Sequence, residues 1–289
     1  MKTLISIVFL VFSLSSFAQN ENAFIIYTSK GKQTTFKALE KQAESHSIVF
    51  FGEYHDNPIS HWLEYELTSK LFERHNKNLV LGFEMFEQDQ QELLNRYLKN
   101  TLTEKQFGDS CRLWPNYETD YKPIIDFAKE KVLNCIATNV QRKYASLLYK
   151  KGRAALDTLS NAIKAQMADL NFIVDTSLSQ YQEIKQMGGH AMGSNMLESQ
   201  AFKDATMAKF ILANFNSNTK VIHFNGAFHS DFHQGILWYL ENDKKNAISS
   251  NQILTISTVT QKDIRKLDKE HFGRADFIIC VPETMTKTH

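Results

Sequence analysis

Four side chains able to do acid–base or metal chemistry stand directly after apolar runs of strand length. They are Glu53 and His55 in Gly52-Glu53-Tyr54-His55-Asp56-Asn57, Glu84 in Gly82-Phe83-Glu84-Met85-Phe86, and His229 in Asn225-Gly226-Ala227-Phe228-His229. A lone glutamate after a strand is most often a solvated loop residue or a helix cap. Glu84, however, is framed by large apolar residues on both sides, and a carboxylate buried in such a frame must be paired, hydrogen-bonded or bound to metal. His229 has an equally apolar frame. Two segments share the spacing Gly-x-x-His, Gly52 to His55 and Gly226 to His229. Glycine lets the backbone turn sharply and approach a ligand, and the histidine three residues on can point into the space so made. The tetrapeptide is common by chance; its weight comes from recurring after two separate strand candidates. Two imidazoles and two carboxylates form a borderline-hard ligand set suited to a divalent transition metal that activates water. Without metal, the same set supplies a histidine base oriented by a carboxylate, with Arg142 of Asn139-Val140-Gln141-Arg142 stabilising an oxyanion. The residue types leave both chemistries open.

For these residues to meet, the strands that carry them must share one rim of a sheet. Apolar, β-rich runs recur at Phe24–Tyr27, Ser47–Phe51, Asn78–Phe83, Val132–Thr138, Lys220–Phe224, Ile253–Thr258 and Asp276–Val281. Continuous runs such as SIVFF and NLVLGF suit strands covered on both faces, the habit of parallel sheets. Between them lie segments of helical periodicity; HWLEYELTSKLFERH follows Asn57-Pro58, a cap and a first-turn proline. The alternation predicts an α/β fold with a mainly parallel sheet covered by helices on both faces and right-handed crossovers. In such sheets ligands bind outside the carboxyl ends of the strands, where all four residues fall. From about Tyr144 to Phe215 no strand is expected, only helices broken at Gly188-Gly189 and near Gly193. The expected organisation is a signal peptide over residues 1–18, a core in two parts over 19–143 and 216–289, and a helical insertion over 144–215 acting as a lid.

Residues 1–18 carry one cation, Lys2, then an apolar stretch and Ser16-Phe17-Ala18, the pattern of a secretory signal with a small-x-small cleavage site. Leu4 to Phe12 is too short for a comfortable bilayer span. The expectation is an exported protein, periplasmic or secreted, with no cysteine placed to accept a lipid. Lys plus Arg is 33 and Asp plus Glu is 32, a balance that lacks the basic footprint of nucleic-acid binding. Cys111, Cys135 and Cys280 show no CxxC spacing, so neither a disulfide framework nor a cysteine zinc site is indicated. Cys135 and Cys280 read as core residues, and Cys111 as a thiol able to pair with another chain.

Taken together, GEYHDN, GFEMF, Trp114-Pro115-Asn116-Tyr117 with Tyr121-Lys122-Pro123, Asn139-x-x-Arg142, GGHAMG, Gln200 with Lys203-Asp204 and Met207-Ala208, and NGAFH resemble the ChaN-like haem-binding family. That family belongs to a wider group with the Tiki and TraB proteins and the erythromycin esterases. The likeness runs from roughly Phe36 to Val281. It implies a haem-binding protein of a haem or iron uptake pathway, with an α/β core and a helical lid, able to form a homodimer around haem and to serve an outer-membrane haem receptor. It also implies a tyrosine on the haem iron, aided by a histidine of the partner chain; Tyr121, Tyr117 and Tyr181 are the candidates, with His190 of Gly188-Gly189-His190 as the histidine. Family members include lipoproteins, whereas this chain lacks the lipid-acceptor cysteine. CxxCH is absent, which excludes covalent haem. Hydrolases of the wider group resemble the chain at Glu53, His55, Glu84 and His229, which implies a periplasmic metal-dependent peptide or ester hydrolase as the alternative. The two readings stand side by side at this level.

Overall fold

The computed structural model describes residues 22–187 and 189–289, with the side chains of 187–193 outside the description. The expected signal peptide therefore lies outside the described residues. Eight strands form one sheet: β1 (Ile25–Thr28), β2 (Gln33–Thr34), β3 (Ile48–Glu53), β4 (Leu79–Glu87), β5 (Asn134–Asn139), β6 (Lys220–Gly226), β7 (Ile253–Gln261) and β8 (Phe277–Pro282). Their order is β2-β1-β8-β7-β3-β6-β4-β5. All pairs from β8 to β5 are parallel, and only the β1 and β2 edge runs antiparallel. The fold is thus α/β with a mainly parallel sheet.

Ten α-helices are described: α1 (Phe36–Ser45), α2 (Pro58–His75), α3 (Gln91–Leu98), α4 (Glu104–Ser110), α5 (Lys122–Lys131), α6 (Arg142–Lys151), α7 (Asn161–Lys164), α8 (Ser179–Met187), α9 (Gly189–Asn214) and α10 (Ile236–Glu241). One face of the sheet, with Phe51, Leu81, Phe224 and Ile256, packs on Leu39 of α1, Leu63 and Leu67 of α2 and Ile124 and Ile125 of α5. The other face, with Phe50, Val80 and Val221, packs on Met207 and Ile211 of α9 and Leu237 of α10. Burial on both sides explains why β3 and β6 read as continuous apolar runs without alternation. No strand is described between Asn139 and Lys220. There α6, α8 and the first half of α9 share a smaller core of Tyr144, Leu148, Tyr181, Leu197 and Phe202.

Four strand ends differ from the sequence reading. β3, β4, β6 and β7 run two to four residues further at their C-terminal ends, reaching Glu53, Glu87, Gly226 and Gln261. Parallel neighbours carry them on; Glu53 pairs with Gly226 across the β3–β6 ladder. The break expected near Gly193 is absent, because α9 runs unbroken through that position. No helix among the described residues is long and apolar enough to cross a membrane.

Candidate active site and cavity

Strand order places β6 between β3 and β4, and the chain then passes to β7 on the far side of β3. Such a reversal opens a crevice at the carboxyl ends of the strands. Glu53 ends β3 inside the sheet, and His55 follows in the turn before α2. The β4 ladder to β5 slips between Phe83 and Glu87, an irregularity of the kind that re-aims a side chain, and Glu84 lies within it. His229 sits in a short turn of 3₁₀ helix directly after β6. A Cβ at Gly226 would fall 2.8 Å from His55 Nε2 and 3.6 Å from Glu84 Oε2, so the bare glycine is what lets imidazole and carboxylate meet over β6.

The four residues form two histidine–carboxylate pairs. His55 Nδ1 lies 2.7 Å from Glu53 Oε1, and His229 Nε2 lies 3.2 Å from Glu84 Oε1. Glu84 Oε2 accepts the Gly226 N–H at 2.7 Å. The other nitrogen of His229 contacts Asp204 of α9, whose second oxygen accepts the Tyr181 hydroxyl at 2.7 Å. Burial opposes charge on His229, but Glu84 and Asp204 on either side overcome it and raise its pKa to about 10. Burial alone would raise Glu84 as well; the His229 and His55 charges and the Gly226 N–H hold it well below the usual carboxylate range. Glu53 goes the same way, to about 2, because His61 and His55 outweigh its burial. His55 is raised despite desolvation by its bond to Glu53 and by Glu84. Its side chain is 37% exposed, the most open of the four.

Above the four residues lies a cavity of about 650 Å³. Ile184 of α8, Met196 of α9 and Phe228 give it an apolar wall, while Tyr54, His55, His229 and Arg274 give it nitrogen and oxygen donors and a cation. Polar groups converging on one side of a largely apolar concavity are the common form of a ligand site.

The profile of the family described as "Haem-binding uptake, Tiki superfamily, ChaN" matches residues 39–240, more than two thirds of the chain. The chain belongs to this family. Among solved structures it is similar to ChaN of Campylobacter jejuni, described as binding haem cofacially, at 16% identity over 89% of this chain and 96% of that one, TM-score 0.64. A succinoglycan biosynthesis protein is similar at 10% identity over 92% and 95% of the two chains, TM-score 0.54. An erythromycin esterase in its open conformation is 13% identical over 81% and 77%, TM-score 0.48. A search of curated proteins finds no match.

In this ChaN-family chain the tyrosines expected on haem iron are all buried. Tyr121 donates its hydroxyl to Glu53 Oε1 at 2.6 Å, Tyr181 donates to Asp204, and Tyr117 packs among Phe86 and Phe107. Burial and the adjoining carboxylates raise Tyr121 and Tyr181, which keeps both as neutral phenols that brace the acids beneath the cavity. None of the three lines the cavity above the site. Tyr54 is half-buried and lines the cavity. His190 lies in the first turn of α9, with its side chain outside the described residues. Arg142 does not join the four residues. It is exposed at the start of α6, its backbone N–H donates to Glu87, and it lines a separate cavity of about 500 Å³ with Arg112 and Lys143, so it is not placed to stabilise an oxyanion at His55. Cys111 is buried against Gln90, which removes it from pairing with another chain.

Sequence reasoning also missed partners that the geometry brings in: Asp204, Tyr54 and Arg274, and behind Glu53 the residues His61 and Glu64. Asn57 caps α2 by accepting the Ile59 and Ser60 N–H groups, and from there His61 and Glu64 lie on the buried stripe with Ser60, Leu63 and Leu67. Polar residues at the period of an apolar stripe were the available signal.

Proposed function

We propose that the protein binds haem in the cavity between the sheet rim and the α8–α9 helices. The observation that carries this is the family match over residues 39–240. The cavity suits the ligand's chemistry. Its apolar wall matches a macrocycle, Tyr54 and His55 offer the oxygen and nitrogen donors that hold haem iron, and Arg274 offers a cation for a propionate. Haem would supply an iron centre. The chain's own part is to hold His55 and His229 in fixed protonation and orientation through Glu53, Glu84 and Asp204. Burial raises the Tyr54 phenol although the Arg274 charge opposes it, so an iron centre would itself have to draw off the phenol proton on binding.

On this reading the protein is exported through residues 1–18 into the periplasm or beyond, takes haem from an outer-membrane receptor, and dimerises with haem at the interface. Titration of hemin into the purified protein should give a saturable Soret shift, weakened by Tyr54→Phe and by Met196→Glu in the apolar wall. No saturable shift in the wild type would sink the reading.

A second reading, a metal-dependent hydrolase of peptides or esters, is favoured by one observation. Two histidines, each backed by a buried carboxylate, face one cavity, and a passive carrier needs no such pair of oriented acid–base groups. Turnover of an ester or peptide by the wild type that Glu84→Gln abolishes would support it.

A further inference from the structure

Behind Glu53, away from the cavity, lies a second constellation. Glu53 uses Oε1 for His55 and Tyr121, while Oε2 is buried with no hydrogen-bond partner. Glu64 Oε1 is likewise buried and unpartnered. Between them stands His61. Its Nε2 lies 3.1 Å from the His55 carbonyl oxygen, which fixes Nε2 as a protonated nitrogen and leaves Nδ1 facing the two carboxylates, where without an ion its N–H donates to Glu64 Oε2. His61 Nδ1 is 3.0 Å from Glu64 Oε2 and 3.8 Å from Glu53 Oε2. One donor atom from each residue lies within 4.8 Å of the others. Ligand bonds of about 2.0–2.2 Å set neighbouring donor atoms roughly 3 to 3.6 Å apart around a tetrahedral ion, the spacing these side chains approach.

We infer that Glu53, His61 and Glu64 form a buried site for a divalent transition cation, separate from the cavity and joined to it through Glu53. The two unpartnered carboxylate oxygens, Glu53 Oε2 and Glu64 Oε1, need a positive centre; a protonated His61 supplies it without an ion, and a cation replaces that charge when Nδ1 gives up its proton and becomes a ligand. Two carboxylates and a neutral imidazole match a divalent ion in charge and, as an oxygen and nitrogen set, match zinc or manganese in chemistry. The His61 tautomer, set by a backbone carbonyl, is the usual orientation device for a metal-ligating imidazole. Asp120, 3.4 Å from His61 Nε2, stands on the far side of the ring. Such an ion would fix the rear oxygen of Glu53 and so hold the front oxygen on His55. Because the site is closed, the ion must enter as the chain folds.

The test is to refold the protein with Zn(II) or Mn(II), dialyse it, and count metal per chain for the wild type, Glu64→Gln, His61→Asn and His229→Ala. The inference predicts that Glu64→Gln and His61→Asn each hold one equivalent fewer than the wild type, while His229→Ala keeps that equivalent. A metal-free wild type, or Glu64→Gln with wild-type content, overturns it in favour of a proton shared between the two acids. Should the two variants fail to fold, anomalous diffraction from wild-type crystals grown with Zn(II) decides alone. A peak bonded to His61 and Glu64 supports the site, and no peak there ends it.

Discussion

Each ionisable residue in the site is held in its charge state by a named neighbour, so single substitutions have directed effects. Glu84→Gln leaves shape and the Gly226 hydrogen bond but removes one of the two charges that keep His229 protonated. The imidazole of residue 229, followed by NMR, should titrate well below its wild-type value of about 10, with a loss of about 1–3 kcal/mol in stability and the fold retained. An unchanged titration would mean Asp204 alone sets the state of His229. His223 works in the opposite sense. It is fully buried beneath the rim between Asn225 and Thr138, and desolvation lowers its pKa from 6.5 to about 4. The unfolded chain therefore takes up a proton that the folded chain refuses. The associated stability is complete above pH 6.5 and falls by about 3 kcal/mol as pH drops toward 4. Denaturant midpoints across that range should converge for wild type and His223→Gln at low pH; parallel curves would remove His223 as the cause. Glu84 and His229 were legible in the sequence because a charge in an apolar frame must have a partner. The partner itself was not: Asp204 lies 25 positions from His229 and reaches it only because α9 packs over the strand ends.

At the scale of elements, the site depends on close approach. Gly226 pairs with Glu53 across β3 and β6, and a methyl there would overlap the His55 ring. Gly226→Ala should preserve the circular dichroism spectrum yet weaken hemin binding or turnover at least tenfold; wild-type affinity in that variant would show that the ring has room to move. Helix α2 begins at an Asn57 cap, and Asn57→Ala should lower stability by about 1 kcal/mol, read from the chemical denaturation midpoint. Strands β3, β4 and β6 were readable because each is a largely apolar run buried on both faces. The two-residue β2 was not, since so short an edge has no periodicity. Strand ends were placed short because Glu53 and Glu84 look like loop residues until ladder partners are known. The bracing of Glu53 by Tyr121 and of Asp204 by Tyr181 was not legible for a related reason: a phenol that braces a buried acid and one that faces solvent share the same sequence signature.

Over the whole molecule, one rim of a parallel sheet supplies charged groups and the α8–α9 helices supply an apolar cover, so a ligand must contact both. Fold class and family were legible from motif order, because strand order brings GEYH, GFEM and NGAFH together at one switch point. The cavity was not, because its apolar wall comes from helices whose approach to the sheet no local pattern encodes. Hydrogen exchange of the backbone with and without hemin, read by mass spectrometry, tests the central claim most directly. Slowed exchange over residues 178–200 and 226–234, with the β1 and β2 edge unaffected, is the predicted result. Hemin that leaves those two segments unprotected, or protects only the opposite edge of the sheet, would contradict it.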